Sequence, residues 1–461
     1  MDKTNADLII KNGAILTMNK DNDIFEIGSV AIKDNLILAV GPTTEISSKY
    51  NAEEMLDADE CVVMPGLVDT HFHTGQQFER GMLGYLSKDK KLKEPAWLNY
   101  LITFEASLSD DDIYLSALLA YSNMLKVGTT CFADAGGPRP EMMGPAIEKT
   151  GIRGILARST LDLKEGVPAE MQDTPSGIVA KGESLFKEWN GRANGRIRAW
   201  MGMRQIMICS REVLENIKGL ADQLNTRIHI HLAEGTYEVD YSIVLAGLRP
   251  TEYLDSIGFL GPNVHAAHSV LLSDKELDLY QQHNISVAHC PAAAFDYCGV
   301  AKIPEMLKRG IRVGLGSDGP LASGGSLSLF RQMDIAYYGH VVTYGLPYYD
   351  LAPIQPIDFL QMATIGGAKA LSGDDEIGSL EAGKKADMIL LSRDDLDVLP
   401  SYDPEFLAAS NANTSQVKTV LVDGKVVVKD GGLVNIDEQE LKARVKERSP
   451  EIISRFLKRL G

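Results

Sequence analysis

Cysteine is scarce in this chain: five residues (Cys61, Cys131, Cys209, Cys290 and Cys298) in 461. They are scattered, odd in number and form no C-x-x-C pair, so no disulfide framework is indicated; reduced thiols in a cytoplasmic protein are expected. Basic residues are also short, with 46 Lys and Arg against 63 Asp and Glu, a net charge of −17. That balance argues against a nucleic-acid or anionic-membrane partner and leaves a small neutral or weakly basic substrate open. No apolar run reaches transmembrane length, and "MDKTNADLIIKNG" lacks the basic region and long apolar core of a signal peptide. There is no low-complexity tract and no solenoid-type repeat. What is present reads as an ordinary soluble globular protein, 44% hydrophobic and 24% charged, long enough for one large domain and a smaller one.

The two ends share a texture. "DLIIKNGAILTM" and "GSVAIKDNLILAVG" near the start, and "ADMILLSR" and "VKTVLVDGKVVVKDGG" near the end, are short β-prone runs broken by turn signals. They predict one small β-sandwich domain built from residues 1–62 and 376–435, followed by a C-terminal helix over 436–461. The middle alternates apolar strands with helical runs. Its eight strand candidates are "CVVMPGLVDTHFH", "GTTCFADAG", "IRGILARSTLD", "RIRAWMGMRQ", "TRIHIHLAE", "NVHAAHSV", "ISVAHCP" and "IRVGLGSDG". Such alternation predicts a parallel sheet, and eight strands over residues 63–375 predict a closed (β/α)8 barrel of TIM type. An open doubly wound sheet usually carries a Gly-rich phosphate loop after its first strand, and none is found.

In such a barrel, chemistry sits at the C-terminal strand ends. Seven of the nine histidines fall on barrel strands: His71 and His73 on the first, His229 and His231 on the fifth, His265 and His268 on the sixth, His289 on the seventh. Asp318 ends the eighth. His71 and His73 alternate on an extended backbone, so both imidazoles can aim at one point. With His231 and Asp318 they offer three nitrogens and one oxygen to one divalent ion, leaving a position for water. Zn2+ is the first expectation, and Fe2+ suits the same donors. Glu234 in "HLAE" needs only a short turn to reach that water, and His268 faces it from the next strand. His229 and His265 read as barrel filling. His289 either lines the pocket mouth or bonds a backbone carbonyl.

These motifs, in order, resemble the amidohydrolase superfamily, and most closely the cytosine-deaminase-like branch that holds guanine deaminase, adenosylhomocysteine deaminase and the triazine hydrolases. The resemblance spans nearly the whole chain, through "MPGLVDTHFH", "NMLKVGTTCFAD", "HIHLAE", "GIRVGLGSDG" and "IGSLEAGKKADMILL". It implies a mononuclear metal on His71, His73, His231 and Asp318, and acid–base roles for Glu234, His268 and Asp318. Dinuclear members carry a bridging lysine on the fourth strand; "RIRAWMGMRQ" has none. The implied reaction is hydrolytic deamination, with a metal-activated water attacking a ring carbon, Glu234 protonating the adjacent ring nitrogen and ammonia leaving.

For substrate, Gln76 and Arg204 resemble guanine-deaminase residues that read a ring carbonyl or anionic edge, and Trp97 resembles a ring-stacking Trp. Pro95 stands where adenosylhomocysteine deaminases have a ribose-binding Glu, and Ala294 where Asn is usual. The first expectation is therefore an oxo-amino heterocycle such as guanine or a pterin. The alternatives are an adenosine-type nucleoside (S-adenosylhomocysteine or methylthioadenosine), towards which "SDGPLASGGSLSLF" leans, and a triazine-type substrate with a chloride or alkylamine leaving group. Arg204 could instead be a structural arginine paired at the barrel rim. Arg158 meets either a substrate carboxylate or an acidic neighbour. A homodimer or higher homo-oligomer is expected, with a small heterocycle as the partner.

Overall fold

The apolar run from Cys61 to Phe72 is two strands rather than one. Cys61–Pro65 joins one sheet and Leu67–Phe72 another, and the chain crosses between them at Gly66. A β-carbon at Gly66 would lie 2.1 Å from Thr130 Oγ1, so the crossing needs a residue without a side chain. The structure is a computed structural model and describes residues 3–88, 91–163, 167–320, 325–350 and 352–460. Residues 321–324 of the "SDGPLASGGSLSLF" motif lie outside the described residues.

Among the described residues the central sheet has eight parallel strands in sequence order: Leu67–Phe72, Thr129–Asp134, Arg153–Arg158, Ile197–Met203, Ile228–Leu232, Val264–His268, Ser286–His289 and Val313–Leu315. Each falls within one of the eight stretches expected from the sequence. The ring is drawn together between its last and first members: the Asp318 amide donates to the His71 carbonyl at 2.9 Å, and Thr70 Oγ1 donates to the Leu315 carbonyl at 2.9 Å. Asp69 bridges the same seam. Its Oδ1 accepts from the amides of His71 (3.2 Å) and Ser317 (3.0 Å), and its Oδ2 accepts from Ser317 Oγ at 2.5 Å.

Helices cover the outside. The helix Arg211–Gln223 shows why: Val213, Leu214, Ile217, Leu220 and Ala221 recur at helical spacing and are buried, and Ser210 caps its start by accepting from the Val213 amide. The helix packs on the fourth and fifth strands. With helices outside and side chains filling the ring, barrel strands are buried on both faces.

The two chain ends meet in a second, mixed sheet of nine strands among the described residues. Thr4–Leu16 pairs antiparallel with Ile24–Lys33, and Met388–Ser392 pairs antiparallel with Cys61–Pro65, Leu390 opposite Val63. This sheet is tied to the barrel by a buried ion pair: Arg153 on the third barrel strand donates to both Asp387 oxygens at 2.9 and 3.1 Å. A 23-residue helix, Glu438–Leu460, lies against the segment Ile102–Ser107 with Phe456 edge-on to Phe104 at 5.3 Å. Among the described residues no helix is long and apolar enough to cross a membrane.

Candidate metal centre and active site

Four donor atoms converge at the C-terminal mouth of the barrel. His73 Nε2 is 3.2 Å from His231 Nε2 and 3.5 Å from Asp318 Oδ1, and His71 Nε2 is 3.7 Å from the same oxygen. Ligands about 2.0–2.2 Å from a tetrahedral zinc lie roughly 3.4 Å from one another, so these separations fit one ion. Burial holds the imidazoles of His71, His73 and His231 well below their ordinary pKa, which keeps them neutral with a lone pair to give. His71 Nε2 is buried and has no hydrogen-bond partner among the described residues, as expected of an atom reserved for a cation.

The other nitrogen of His71 explains His229. His71 Nδ1 is 2.8 Å from His229 Nε2, and His229 Nδ1 is 3.0 Å from the Asp134 carbonyl. The carbonyl can only accept, so His229 Nδ1 carries the proton and its Nε2 accepts from His71. That chain fixes the tautomer that leaves His71 Nε2 free. His229 is thus an orienting group as well as barrel filling. His265 bonds Ser286 Oγ (2.8 Å) and the Thr70 carbonyl (2.9 Å) deeper in the barrel. Cys290 also comes near His71 and Asp318, but burial pushes its thiol well above the ordinary value, which disfavours a thiolate.

His268 and Asp318 both sit at positive φ, +69° and +62°. Side-chain-bearing residues seldom adopt this conformation, and where it occurs the surrounding structure must hold it. Here it turns both side chains inward at strand ends. Glu234 is buried and gripped: Gln205 Nε2 donates to its Oε2 at 3.0 Å, Tyr297 OH donates to its Oε1 at 3.3 Å, and His268 Nε2 lies 3.8 Å from Oε1. Its amide donates to Glu238 Oε2 at 2.9 Å.

The cavity over these atoms is lined by His73, Gln76, Trp97, Arg204, His231, Glu234, His268 and Asp318, together with Leu101, Gln205 and Tyr297. Arg204 and Gln76 converge on a residue the sequence reading passed over. Glu105 Oε2 accepts from Arg204 Nη1 at 2.6 Å, and Glu105 Oε1 accepts from Gln76 Nε2 at 2.9 Å. All three are buried. Gly319 leaves room for this arrangement, since a β-carbon there would fall 2.0 Å from Gln76 Oε1. Arg158 is ion-paired with Glu141 and lines a separate cavity. His289 is buried against His340, ring centroids 5.1 Å apart, outside the lining of the site cavity.

Residues 62–427 match the amidohydrolase family. The chain belongs to that family. It is a hydrolase acting on carbon–nitrogen bonds, and this amidohydrolase has relatives of nearly its own length. It is 33% identical over 455 residues to the 5′-deoxyadenosine deaminase of Methanobrevibacter smithii, covering 97% of this chain and 99% of that one. It is 33% identical over 448 residues to the 5-methylthioadenosine/S-adenosylhomocysteine deaminase of Acetivibrio thermocellus, with 97% and 99% covered. Among solved structures, an adenosine deaminase from Xanthomonas campestris with bound zinc superposes with a TM-score of 0.88 at 24% identity, over 98% of this chain and 100% of that one. That likeness concerns the fold. Glu105, Gln205 and Tyr297 carried little signal of their own: Glu105 and Tyr297 lie outside the strand stretches, Gln205 closes the fourth of them as an ordinary polar residue, and each is far along the chain from the groups it serves.

Proposed function

We propose that this amidohydrolase is a metal-dependent aminohydrolase of adenosine-type nucleosides modified at the 5′ position. The observation that carries the substrate is the pair of full-length relatives named for 5′-deoxyadenosine and for methylthioadenosine and S-adenosylhomocysteine. The site supports it. The guanine-like expectation leaned on Gln76 and Arg204 to meet an oxo or anionic ring edge, but both are bonded to buried Glu105, which takes up the charge of Arg204. Support therefore moves to the nucleoside alternative.

His71, His73, His231 and Asp318 would hold one divalent ion. When bound, such an ion acts as a Lewis acid and makes hydroxide available near neutral pH. The chain's own groups do the rest. Asp318 and His268 take the proton of the attacking water. Gln205 occupies Oε2 of Glu234, and Oε1, which faces His268 and keeps a second lone pair beside the Tyr297 bond, carries a proton to ring N1. Protonation there lets C6 become tetrahedral. The C6–N6 bond then breaks as the amine takes the proton held by Asp318 and His268, and the C6 hydroxyl returns its proton to Glu234, so that water and the aminopurine give the 6-oxopurine and ammonia. Tyr297 holds Glu234 Oε1 in place, and Trp97 packs along the ring.

The test is ammonia release by metal-loaded protein from 5′-deoxyadenosine, methylthioadenosine, adenosine, guanine, a pterin and a chlorotriazine. The adenine nucleosides are expected to lead. Preferred turnover of guanine or pterin, or chloride release from the triazine, would overturn the reading.

A further inference from the structure

A row of hydrogen bonds runs inside the barrel from its floor to the first strand. Arg227 precedes the fifth strand and Ser286 opens the seventh. Arg227 Nη2 donates to Ser286 Oγ at 2.7 Å. Ser286 Oγ lies 2.8 Å from His265 Nδ1, and His265 Nε2 lies 2.9 Å from the carbonyl of Thr70, the residue before His71. Arg227, Ser286 and His265 are all buried. The two ends of the row fix the direction of every bond. The Thr70 carbonyl can only accept, so His265 Nε2 carries the proton. Burial holds His265 well below its ordinary pKa, so the ring is neutral and its Nδ1 is an acceptor. Ser286 must then donate its hydroxyl proton to Nδ1, and its oxygen accepts from Arg227. Arg227 is held at two further points: Nη1 donates to Ser372 Oγ, and the guanidinium lies 5.1 Å over the Trp200 ring.

We infer that Arg227 and Ser286 are positioning residues for the metal ligand His71, acting through His265 on the peptide between Thr70 and His71. The inference rests on the metal-centre reading above and extends it to the opposite end of the barrel. That peptide lies where strand pairing is irregular: the register of the first strand on the second slips between Asp69 and Phe72. Toward the eighth strand it is held by single bonds, from Thr70 Oγ1 to the Leu315 carbonyl and from the Asp318 amide to the His71 carbonyl. His265 adds a tie from the sixth strand, across the barrel interior. Ligand distances in a metal site hold to within about 0.2 Å, so freedom at the Thr70 peptide is felt at His71 Nε2. His229 sets the proton on the His71 ring, and the row from Arg227 sets where the His71 backbone stands. Without the Ser286 hydroxyl, His265 is free to carry its proton on Nδ1, and Nε2 would then meet the Thr70 carbonyl lone pair to lone pair.

The experiment measures the Zn2+ affinity of the full-length protein by competition with a chromophoric chelator. Ser286→Ala should weaken Zn2+ binding by about 10–100-fold, the typical cost of removing a group that orients a metal ligand, and Arg227→Met should fall in the same range. The two act on one proton of His265, so the double variant should lose no more than about twofold beyond the weaker-binding single variant. Arg227→Lys, which keeps a donor for Ser286, should recover most of the affinity. Wild-type affinity in Ser286→Ala, whatever happens to its unfolding midpoint, would show a purely structural role and overturn the inference, as would multiplicative losses in the double variant. Wild-type protein that takes up no ion would instead overturn the metal-centre reading. Ser286→Ala decides even if the arginine variants do not fold.

Discussion

Glu234 is held at three points: Gln205 and Tyr297 on its carboxylate, and Glu238 on its amide. It ligates nothing in the proposed centre, and in the proposed mechanism it moves a proton. Glu234→Gln should keep metal and fold while lowering kcat by about 10²–10⁴-fold, the usual contribution of a general acid or base; near wild-type turnover would remove Glu234 from the mechanism. Arg204 and Glu105 form a pair in which each buried charge depends on the other. Arg204→Met should cost about 3–5 kcal/mol in denaturant unfolding, because Glu105 is left unpaired, and adding Glu105→Leu should recover part of the loss. Additive losses would show that the pair is not coupled. Glu238 supplies a pH dependence. Burial pushes its carboxyl up to about 8 from an ordinary 4.5. Between those values the folded chain keeps a proton that the unfolded chain has lost, so this group's stabilisation falls as pH rises through the window. Glu238→Gln should therefore gain melting temperature relative to wild type on going from pH 5 to pH 9, and parallel curves would contradict the assignment.

The eight barrel strands were legible as elements because each is a short apolar run closed by turn residues, and because alternation on an extended backbone aims His71 and His73 at one point. The break at Gly66 was not legible. Val62, Val63, Leu67 and Val68 read as one largely β-branched run across the break, and the strand pairing, with the close approach of Thr130 at Gly66, shows that the chain changes sheets there. Glu105 was hidden for a different reason. In "LITFEASLS" a glutamate reads as one more polar residue of a helix, and its partners Gln76 and Arg204 reach it only once the barrel is closed. Arg204 itself was located correctly at a strand end, but its partner, which the sequence could not supply, decides what its charge does. Likewise His229 was read as filling, while its bond to His71 gives that filling a purpose.

Across the whole molecule, the pairing of the two chain ends into one sheet followed from their shared texture, whereas the strand order required the fold. The link between that sheet and the barrel runs through Arg153 and Asp387, both buried and doubly bonded. Arg153→Met should destabilise the protein by about 3–5 kcal/mol, since it strands the Asp387 carboxylate. Equilibrium unfolding checks this, and a loss under about 1 kcal/mol would mean that the two parts are held together by apolar packing alone. The metal centre and an adenosine-type substrate are tested together by ammonia release from 5′-deoxyadenosine before chelation, after chelation, and after Zn2+ or Fe2+ is restored alongside metal analysis. The expected result is turnover that disappears with the ion and returns as one ion per chain is regained. Full activity in metal-free protein, or an enzyme that releases ammonia from guanine while leaving 5′-deoxyadenosine untouched, would contradict it.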